Sequence, residues 1–261
     1  MSKITAQRVL ITAGASGIGL AMAKTFADNG SKVWVTDVDP TALGELPENT
    51  IGSLVDAANE ADVASLFDEI GAKWGGLDVL CANAGIAGPT AEIESINLED
   101  WRKCVSINLE GAFLATKYAT PMMKNQRSGA IIYTSSTAGI YGYPNRAPYS
   151  AAKWAIIGLM KTVAMELGPF GIRANAICPG SVEGPRMEGV LEREATLKGM
   201  TRDEVYDGYA SGTSMKSFVS AQDVASMTYF LASEGSRLVS GQVISIDGHT
   251  VNPDPKILAK K

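Results

Sequence analysis

The segment Tyr149-Ser150-Ala151-Ala152-Lys153 places a phenol and an ammonium four residues apart at the start of a stretch of helical period, so both lie on one face. A free tyrosine ionises near pH ~10. A lysine cation beside it favours the phenolate and brings it towards neutral pH, where it could act as a general base. Ser136 stands thirteen residues before Tyr149, at the end of a β-branched run. Strand ends are where open α/β sheets build their sites.

A second group of residues suits an anion. The run Arg8–Thr12 leads into Ala13-Gly14-Ala15-Ser16-Gly17-Ile18-Gly19 and then into an amphipathic segment. Such a turn lets backbone N–H groups approach a pyrophosphate and aims a helix N-terminus at its charge. The next β-branched run, Val33-Trp34-Val35-Thr36-Asp37, ends in a carboxylate about twenty positions beyond the glycines, placed to accept hydrogen bonds from both hydroxyls of an adenosine ribose. A 2′-phosphate there would be repelled, and the turn holds no Arg or Lys to attract one, so NAD is the expected cofactor. Asp37 has a second reading, as a turn cap with Asp39 and Pro40.

The rest of the inventory narrows the chemistry. The 261 residues hold three cysteines without a CxxC pair and one histidine, His249, so neither a His/Cys zinc site nor a Ser-His-Asp triad is readily assembled. Cys81 and Cys178 lie in apolar runs and read as buried small hydrophobes; Cys104 is likewise given no chemistry. A net charge of −5 with no local Lys/Arg run disfavours nucleic acid. No stretch of about eighteen residues is apolar enough to span a membrane. Lys3 and Arg8 are not followed by an apolar leader core, so the expectation is a cytoplasmic protein.

These side chains need elements to position them. β-branched runs at Arg8–Thr12, Lys32–Asp37, Ile51–Asp56, Asp78–Asn83, Ala130–Ser135, Arg173–Cys178 and Val243–Asp247 predict seven strands. Helical periodicity predicts helices at Gly17–Asn29, Ala61–Trp74, Asn97–Lys124, Tyr149–Gly168 and Ala221–Ser233. This alternation is the pattern of a parallel sheet covered on both faces. Residues 184–219 interrupt it with charge, Gly and Met. Met187, Val190, Leu191, Met200, Val205, Tyr206 and Tyr209 supply enough apolar surface for short helices, so the segment is expected to form a substrate lid.

Taken in order, these motifs resemble the classical short-chain dehydrogenase/reductases over nearly the whole chain, from Arg8 to about Gly248. The family's TGxxxGxG turn matches Thr12 to Gly19, its NNAG strand end matches Ala82-Asn83-Ala84-Gly85, and its helix asparagine matches Asn108. Its Ser, YxxxK and PG motifs match Ser136, Tyr149 with Lys153, and Pro179-Gly180. The resemblance implies one Rossmann-like domain spanning 1–261, an α/β doubly wound parallel sheet of seven strands with helices on both faces. It also implies a mechanism. Tyr149 would take the proton of a substrate hydroxyl while hydride leaves the same carbon for the nicotinamide. Ser136 would hydrogen-bond the substrate oxygen. Lys153 would lower the tyrosine pKa and bind the nicotinamide ribose, and Asn108 would hold a water linking Lys153 to solvent. The implied cofactor-binding residues are Gly14, Ser16, Gly17, Ile18, Gly19, Asp37, Asp56, Ala57, Asn83, Ala84, Gly85, Tyr149, Lys153, Pro179, Gly180 and Val182, with no metal. The chain departs from the pattern at Ala13 and Ala82, and at Gly184, where the family commonly has a threonine on the carboxamide. Backbone groups around Ser181 and Val182 could replace that contact.

Substrate recognition falls to the loop after Ser136 and to the lid entrance, with Ser136, Tyr143, Arg146, Tyr149 and Arg186 as candidates. Arg146 or Arg186 could fork onto an anionic or polyhydroxylated substrate, but surface solvation of both is the favoured expectation. His249 reads as a surface or interface residue, with a substrate contact as the other reading. The expected function is NAD-dependent hydride transfer on a small polar secondary alcohol or ketone: a sugar, polyol or hydroxy acid. Two alternatives stay open: a 3-oxoacyl-thioester reductase, usually NADPH-linked and so disfavoured by Asp37, and a non-catalytic dinucleotide-binding protein. Apolar residues around much of two long helices (Phe113, Leu114, Trp154, Ile156, Ile157) suggest a homo-oligomer. The family resemblance makes a tetramer the expected form.

Overall fold

Strands buried on both faces read as unbroken apolar runs, and β1 (Arg8–Thr12), β2 (Lys32–Asp37), β3 (Thr50–Leu54), β4 (Val79–Ala82), β5 (Gly129–Thr134), β6 (Ile172–Pro179) and β7 (Val243–Ile246) form one parallel sheet in the order β3-β2-β1-β4-β5-β6-β7. The computed structural model describes residues 6–253, so Lys3 and both ends of the expected 1–261 span lie outside it. Strand order reverses between β1 and β4, and the crevice beyond their carboxyl ends is where a doubly wound sheet binds its ligand.

Helices cover both faces. The first, α1 (Gly17–Asp28), packs with α9 (Ala221–Ala232) over a core of Val9, Ile11, Met22, Phe26, Val33 and Val224. On the other face α3 (Glu60–Trp74), α5 (Gly111–Gln126) and α6 (Ala147–Leu167) enclose Leu10, Phe67, Ile70, Met123, Tyr133 and Met160. Local signals set the ends. Asn59 caps α3 by accepting from the N–H groups of Ala61 and Asp62, and left-handed Gly75 stops it. Ser220 and Asp223 form a reciprocal capping box on α9.

The helix expected over Asn97–Lys124 forms as one unbroken helical run that contains a π-turn. It starts as α4 (Leu98–Val105), passes through a π-turn at Ser106–Glu110 that holds Asn108, and resumes as α5. Single π-turns of this kind sit inside α-helices, often at functional sites. A single turn, α2 (Pro40–Leu43), was also absent from the sequence reading; Asp39 caps it by accepting from Thr41 N and Ala42 N. Residues 184–219 contain α7 (Pro185–Lys198) and α8 (Arg202–Ser211), which share a small core of Leu191, Ala195 and Val205 with Met187, Met200, Tyr206, Tyr209 and Phe218. Among the described residues, no helix is long and apolar enough to cross a membrane.

Candidate active site

Chain turns at the carboxyl ends of β1, β4, β5 and β6 surround an open cleft of about 360 Å³. Its walls bring together Ser16, Gly17, Ile18, Gly19, Asn83, Gly85, Ser136, Tyr143, Arg146, Tyr149, Lys153, Pro179, Gly180, Val182 and Arg186. Gly14, Asp37, Asp56, Ala57, Ala84 and Asn108 do not line it directly.

The glycine turn is built for close approach. A Cβ on Gly19 would stand 2.3 Å from the Ala13 carbonyl oxygen and 2.9 Å from Asn83 Nδ2, so only glycine lets α1 start against β1. At Gly17 the backbone is left-handed with φ +50, and nothing lies within 4 Å of where a Cβ would be. That open peptide surface suits a pyrophosphate. Asn83 ties the neighbouring turn down, donating from Nδ2 to the Thr12 and Ala13 carbonyls and accepting at Oδ1 from Thr134 Oγ1. Thr12 Oγ1 accepts from the N–H groups of Asn83 and Ala84, a support role the sequence reading did not assign.

Asp37 ends β2 beside this turn. Its carboxylate accepts from Ala15 N at 3.1 Å, Val38 N at 2.8 Å and Asp39 N at 3.2 Å, so it does organise a local turn as the second reading had it. Asp39, not Asp37, caps the helix that begins at Pro40. The side chain is only partly buried, and a carboxylate has lone pairs for ribose hydroxyls as well. Asp56 accepts from Ala58 N, and Ala57 packs against Gly111. The glycine set and Asp37 together fit a dinucleotide.

Deeper in, β5 delivers Ser135 and Ser136, and α6 delivers Tyr149 and Lys153. Lys153 is 2% exposed; its Nζ donates to the Thr134 carbonyl at 2.8 Å and lies 5.6 Å from the Tyr149 ring centre. Ser135 Oγ donates to the Lys153 carbonyl at 2.8 Å, locking α6 to the strand end. Gly139 permits that docking, since a Cβ there would meet Ser135 Oγ at 2.3 Å and the Lys153 carbonyl oxygen at 2.7 Å. The glycine stands too far from any motif glycine to have been singled out. Burial pushes the Tyr149 phenol up, but Arg186, Lys153, a hydrogen bond with Ser136 and Arg146 together outweigh it, and the phenol ionises below its ordinary value. Burial lowers Lys153, opposed by the attraction of Tyr149.

Asn108 is fully buried in the π-turn; its Nδ2 donates to the carbonyls of Ile86 and Cys104, while Oδ1 has no partner. A Cβ on Gly85 would stand 2.4 Å from that oxygen and 3.2 Å from Lys153 Nζ. Glycine therefore keeps open the gap between the amide and the ammonium.

Two guanidinium groups flank the phenol. The carbon of Arg146 lies 5.1 Å and that of Arg186 5.8 Å from the Tyr149 ring centre. Arg186 is exposed, in line with the expected surface solvation, but Arg146 is only 9% exposed, which overturns that expectation for it. Arg146 stands at the N-terminal boundary of α6 without capping it, and its side chain turns inward to donate to the Ala87 carbonyl. Tyr143 shares a hydrogen bond with Thr137 Oγ1, and Tyr209 from α8 also reaches the cleft wall. His249 is exposed, 2.9 Å from Ser214 Oγ, and lies outside the cleft. All three cysteines are free and buried.

The departures from the family motif have conformational meaning. Ala13 is left-handed, with φ 49, where glycine carries no steric penalty. Ala82 is a buried sheet residue in register with Tyr133. Gly184 has φ 134 and ψ 174, a conformation essentially confined to glycine, so a threonine would be strained there.

The family model described as enoyl-(acyl carrier protein) reductase matches residues 12–249. The 3-oxoacyl-(acyl-carrier-protein) reductase of Thermotoga maritima is 36% identical over 93% of this chain and 96% of its own. The D-beta-hydroxybutyrate dehydrogenase of Rhizobium meliloti is 32% identical over 92% and 96%. Among solved structures, an NAD+-bound xylitol dehydrogenase superposes with a TM-score of 0.90 at 28% identity, covering 93% of this chain and 98% of that one. With the family's motifs gathered on one parallel sheet and relatives matching from end to end, the chain belongs to the short-chain dehydrogenase/reductases, a family of nicotinamide-dependent oxidoreductases.

Proposed function

We propose that the protein is an NAD-dependent alcohol dehydrogenase/ketoreductase acting on a small polar secondary alcohol and its ketone, with Tyr149 as general acid/base. The observation that carries this reading is the Tyr149 phenol, held among Lys153, Ser136, Arg146 and Arg186 so that its ionisation is favoured. Gly14, Ser16, Gly17, Ile18 and Gly19 would hold the pyrophosphate, Asp37 the adenosine ribose, and Lys153 with Tyr149 the nicotinamide ribose. Asp56, Ala57, Asn83, Ala84, Gly85, Pro179, Gly180 and Val182 complete the proposed cofactor set.

Bound nicotinamide supplies the hydride acceptor in oxidation and the donor in reduction. In oxidation the Tyr149 phenolate takes the proton of the substrate hydroxyl, and in reduction the phenol returns it to the forming alkoxide. Ser136 Oγ donates to the substrate oxygen and stabilises the charge that develops on it. Lys153 stabilises the phenolate, and a water between Lys153 Nζ and the free Asn108 Oδ1 passes the proton onward. The helices α7 and α8 act as a lid, since Met187, Val190 and Tyr209 line the cleft from that side. Leu114 and Ile156 lie in the buried core and offer no surface to a partner, but the exposed Phe113 on α5 and Trp154 and Met165 on α6 suit a homotetramer.

A 3-oxoacyl-thioester reductase is the second reading, favoured by the Thermotoga relative. The test is reduced-nicotinamide absorbance with NAD or NADP, supplied separately, against sugars, polyols, hydroxy acids and 3-oxoacyl thioesters. Turnover of polar secondary alcohols with NAD supports the first reading. Turnover with NADP and thioesters alone moves the second into its place.

A further inference from the structure

Arg146 is a buried cation without a counter-charge. Its guanidinium donates to the Ala87 carbonyl, while Nε is buried with no partner. Among the described residues, neither Arg146 nor Arg186 is paired with a carboxylate. The nearby acids are already engaged. Glu194 takes Tyr209 and Lys198, Glu188 takes Arg202, Glu183 accepts from Tyr206, and Asp247 accepts from the N–H groups of His249 and Thr250. Among the described residues, Glu183 is the one acidic residue in the cleft wall, against Arg146, Lys153 and Arg186.

An unpaired buried guanidinium is costly unless something neutralises it, and tying the Ala87 carbonyl needs only a neutral donor. Buried Arg146 and exposed Arg186 both line the cleft within 6 Å of the Tyr149 ring centre, so a small anion beside the phenol has guanidinium donors on hand from two elements. The dinucleotide's own phosphates belong at Gly17, at the start of α1, not beside the phenol.

We propose that Arg146 and Arg186 form a carboxylate-binding site next to Tyr149, so that the substrate is a small hydroxy acid or oxo acid whose carboxylate lies a few bonds from the reacting carbon. The proposal rests on the dehydrogenase reading above and narrows it away from sugars, polyols and acyl thioesters. The oxidation balances as alcohol plus NAD giving ketone, NADH and one proton, with the carboxylate unchanged. That carboxylate neutralises the arginine charge and fixes the carbinol against Ser136 and Tyr149, the positioning that makes a reactive geometry.

The test has a kinetic and a binding arm. Lactate, 3-hydroxybutyrate and 4-hydroxypentanoate are each compared with the matching carboxamide as substrates with NAD. The best acid should exceed its amide in kcat/KM by about 100-fold, as expected for a desolvated charge-assisted pair. Arg186→Ala and Arg146→Gln should each raise KM for the acid about tenfold or more, with the dissociation constant for NAD unchanged. In the binding arm, acetate should protect the NAD-saturated wild-type protein against heat while acetamide does not. Each Arg variant should lose that protection.

Equal turnover of acids and amides would overturn the proposal, as would a variant that loses NAD affinity instead of acid affinity. So would a neutral N-acetylcysteamine thioester of 3-oxobutyrate reduced faster than acetoacetate. If acetate protects but no alcohol is turned over with either cofactor, the dehydrogenase reading fails and the anion site stands.

Discussion

Gly17 and Gly19 lie two residues apart in one turn, yet alanine at each should fail in a different way. At Gly17 the added methyl enters open space, so the folded chain bears only the left-handed conformation of φ +50. That conformation costs an alanine roughly 1–2 kcal/mol, offset in part by lower entropy of the unfolded chain, and the net is about 1 kcal/mol. For a domain of this size the melting temperature should fall by about 2–4 °C. The same methyl occupies the space a pyrophosphate needs, so NAD affinity should drop about tenfold or more. At Gly19 the methyl meets the Ala13 carbonyl at 2.3 Å and the Gly14 Cα at 2.7 Å, both backbone atoms that cannot swing aside. Overpacking of this kind costs about 1–3 kcal/mol or more, and the upper figure corresponds to roughly 6–12 °C. Thermal denaturation without ligand and calorimetric titration with NAD separate the two effects. Gly17→Ala should melt nearly as wild type but gain little stability from NAD; Gly19→Ala should melt early before any ligand is added. An unchanged NAD dissociation constant in Gly17→Ala would refute the placement of the pyrophosphate, and a wild-type melting temperature in Gly19→Ala would refute the close approach.

Three further outcomes follow from the site. Because the phenolate is the form that accepts a proton, kcat/KM for oxidation should rise with pH to a plateau whose midpoint lies below a tyrosine's ordinary value, and reduction should decline over the same range. Burial opposes that ionisation and Arg186 is the largest cationic counterweight, so Arg186→Ala should move the midpoint to higher pH; an unmoved profile contradicts the electrostatic account. Asp37→Ala should raise KM for NAD about tenfold and narrow the preference over NADP, by loss of ribose contacts and of the repulsion of a 2′-phosphate, as steady-state kinetics with both cofactors would show. Replacing left-handed Ala13 by glycine should stabilise the protein by about 1 kcal/mol, read as a rise of roughly 2–4 °C in melting temperature.

How far the sequence alone reached depended on whether a feature is local. Strand β1, the turn after it, α1 and Asp37 follow one another along the chain, and their pattern carries the architecture because a parallel strand, a glycine turn and a helix N-terminus are consecutive in any dinucleotide crevice. The i,i+4 pair Tyr149 and Lys153 was legible for the same reason. The π-turn around Asn108 was not, since a single widened turn inside an α-helix carries no residue signature of its own. Nor was Gly139, whose need for a missing Cβ exists only when α6 docks on the end of β5. The inward turn of Arg146 is a tertiary fact too. A guanidinium beside Pro148 at a helix start looks solvated in sequence and becomes buried only when the loop carrying Ala87 closes over it. Gly184 was read as a lost contact, whereas its φ of 134 makes glycine a requirement of the path into α7.

The most direct test of the central claim compares wild type with Tyr149→Phe at equal NAD saturation, following NADH formation from the best secondary alcohol while NAD binding is measured by calorimetry. Loss of turnover by a factor of about 100 or more with NAD binding retained is the predicted result, since a phenyl ring keeps the shape but holds no proton. Undiminished turnover in Tyr149→Phe would contradict the account, because the proton would then be leaving the substrate by a route that does not involve this residue.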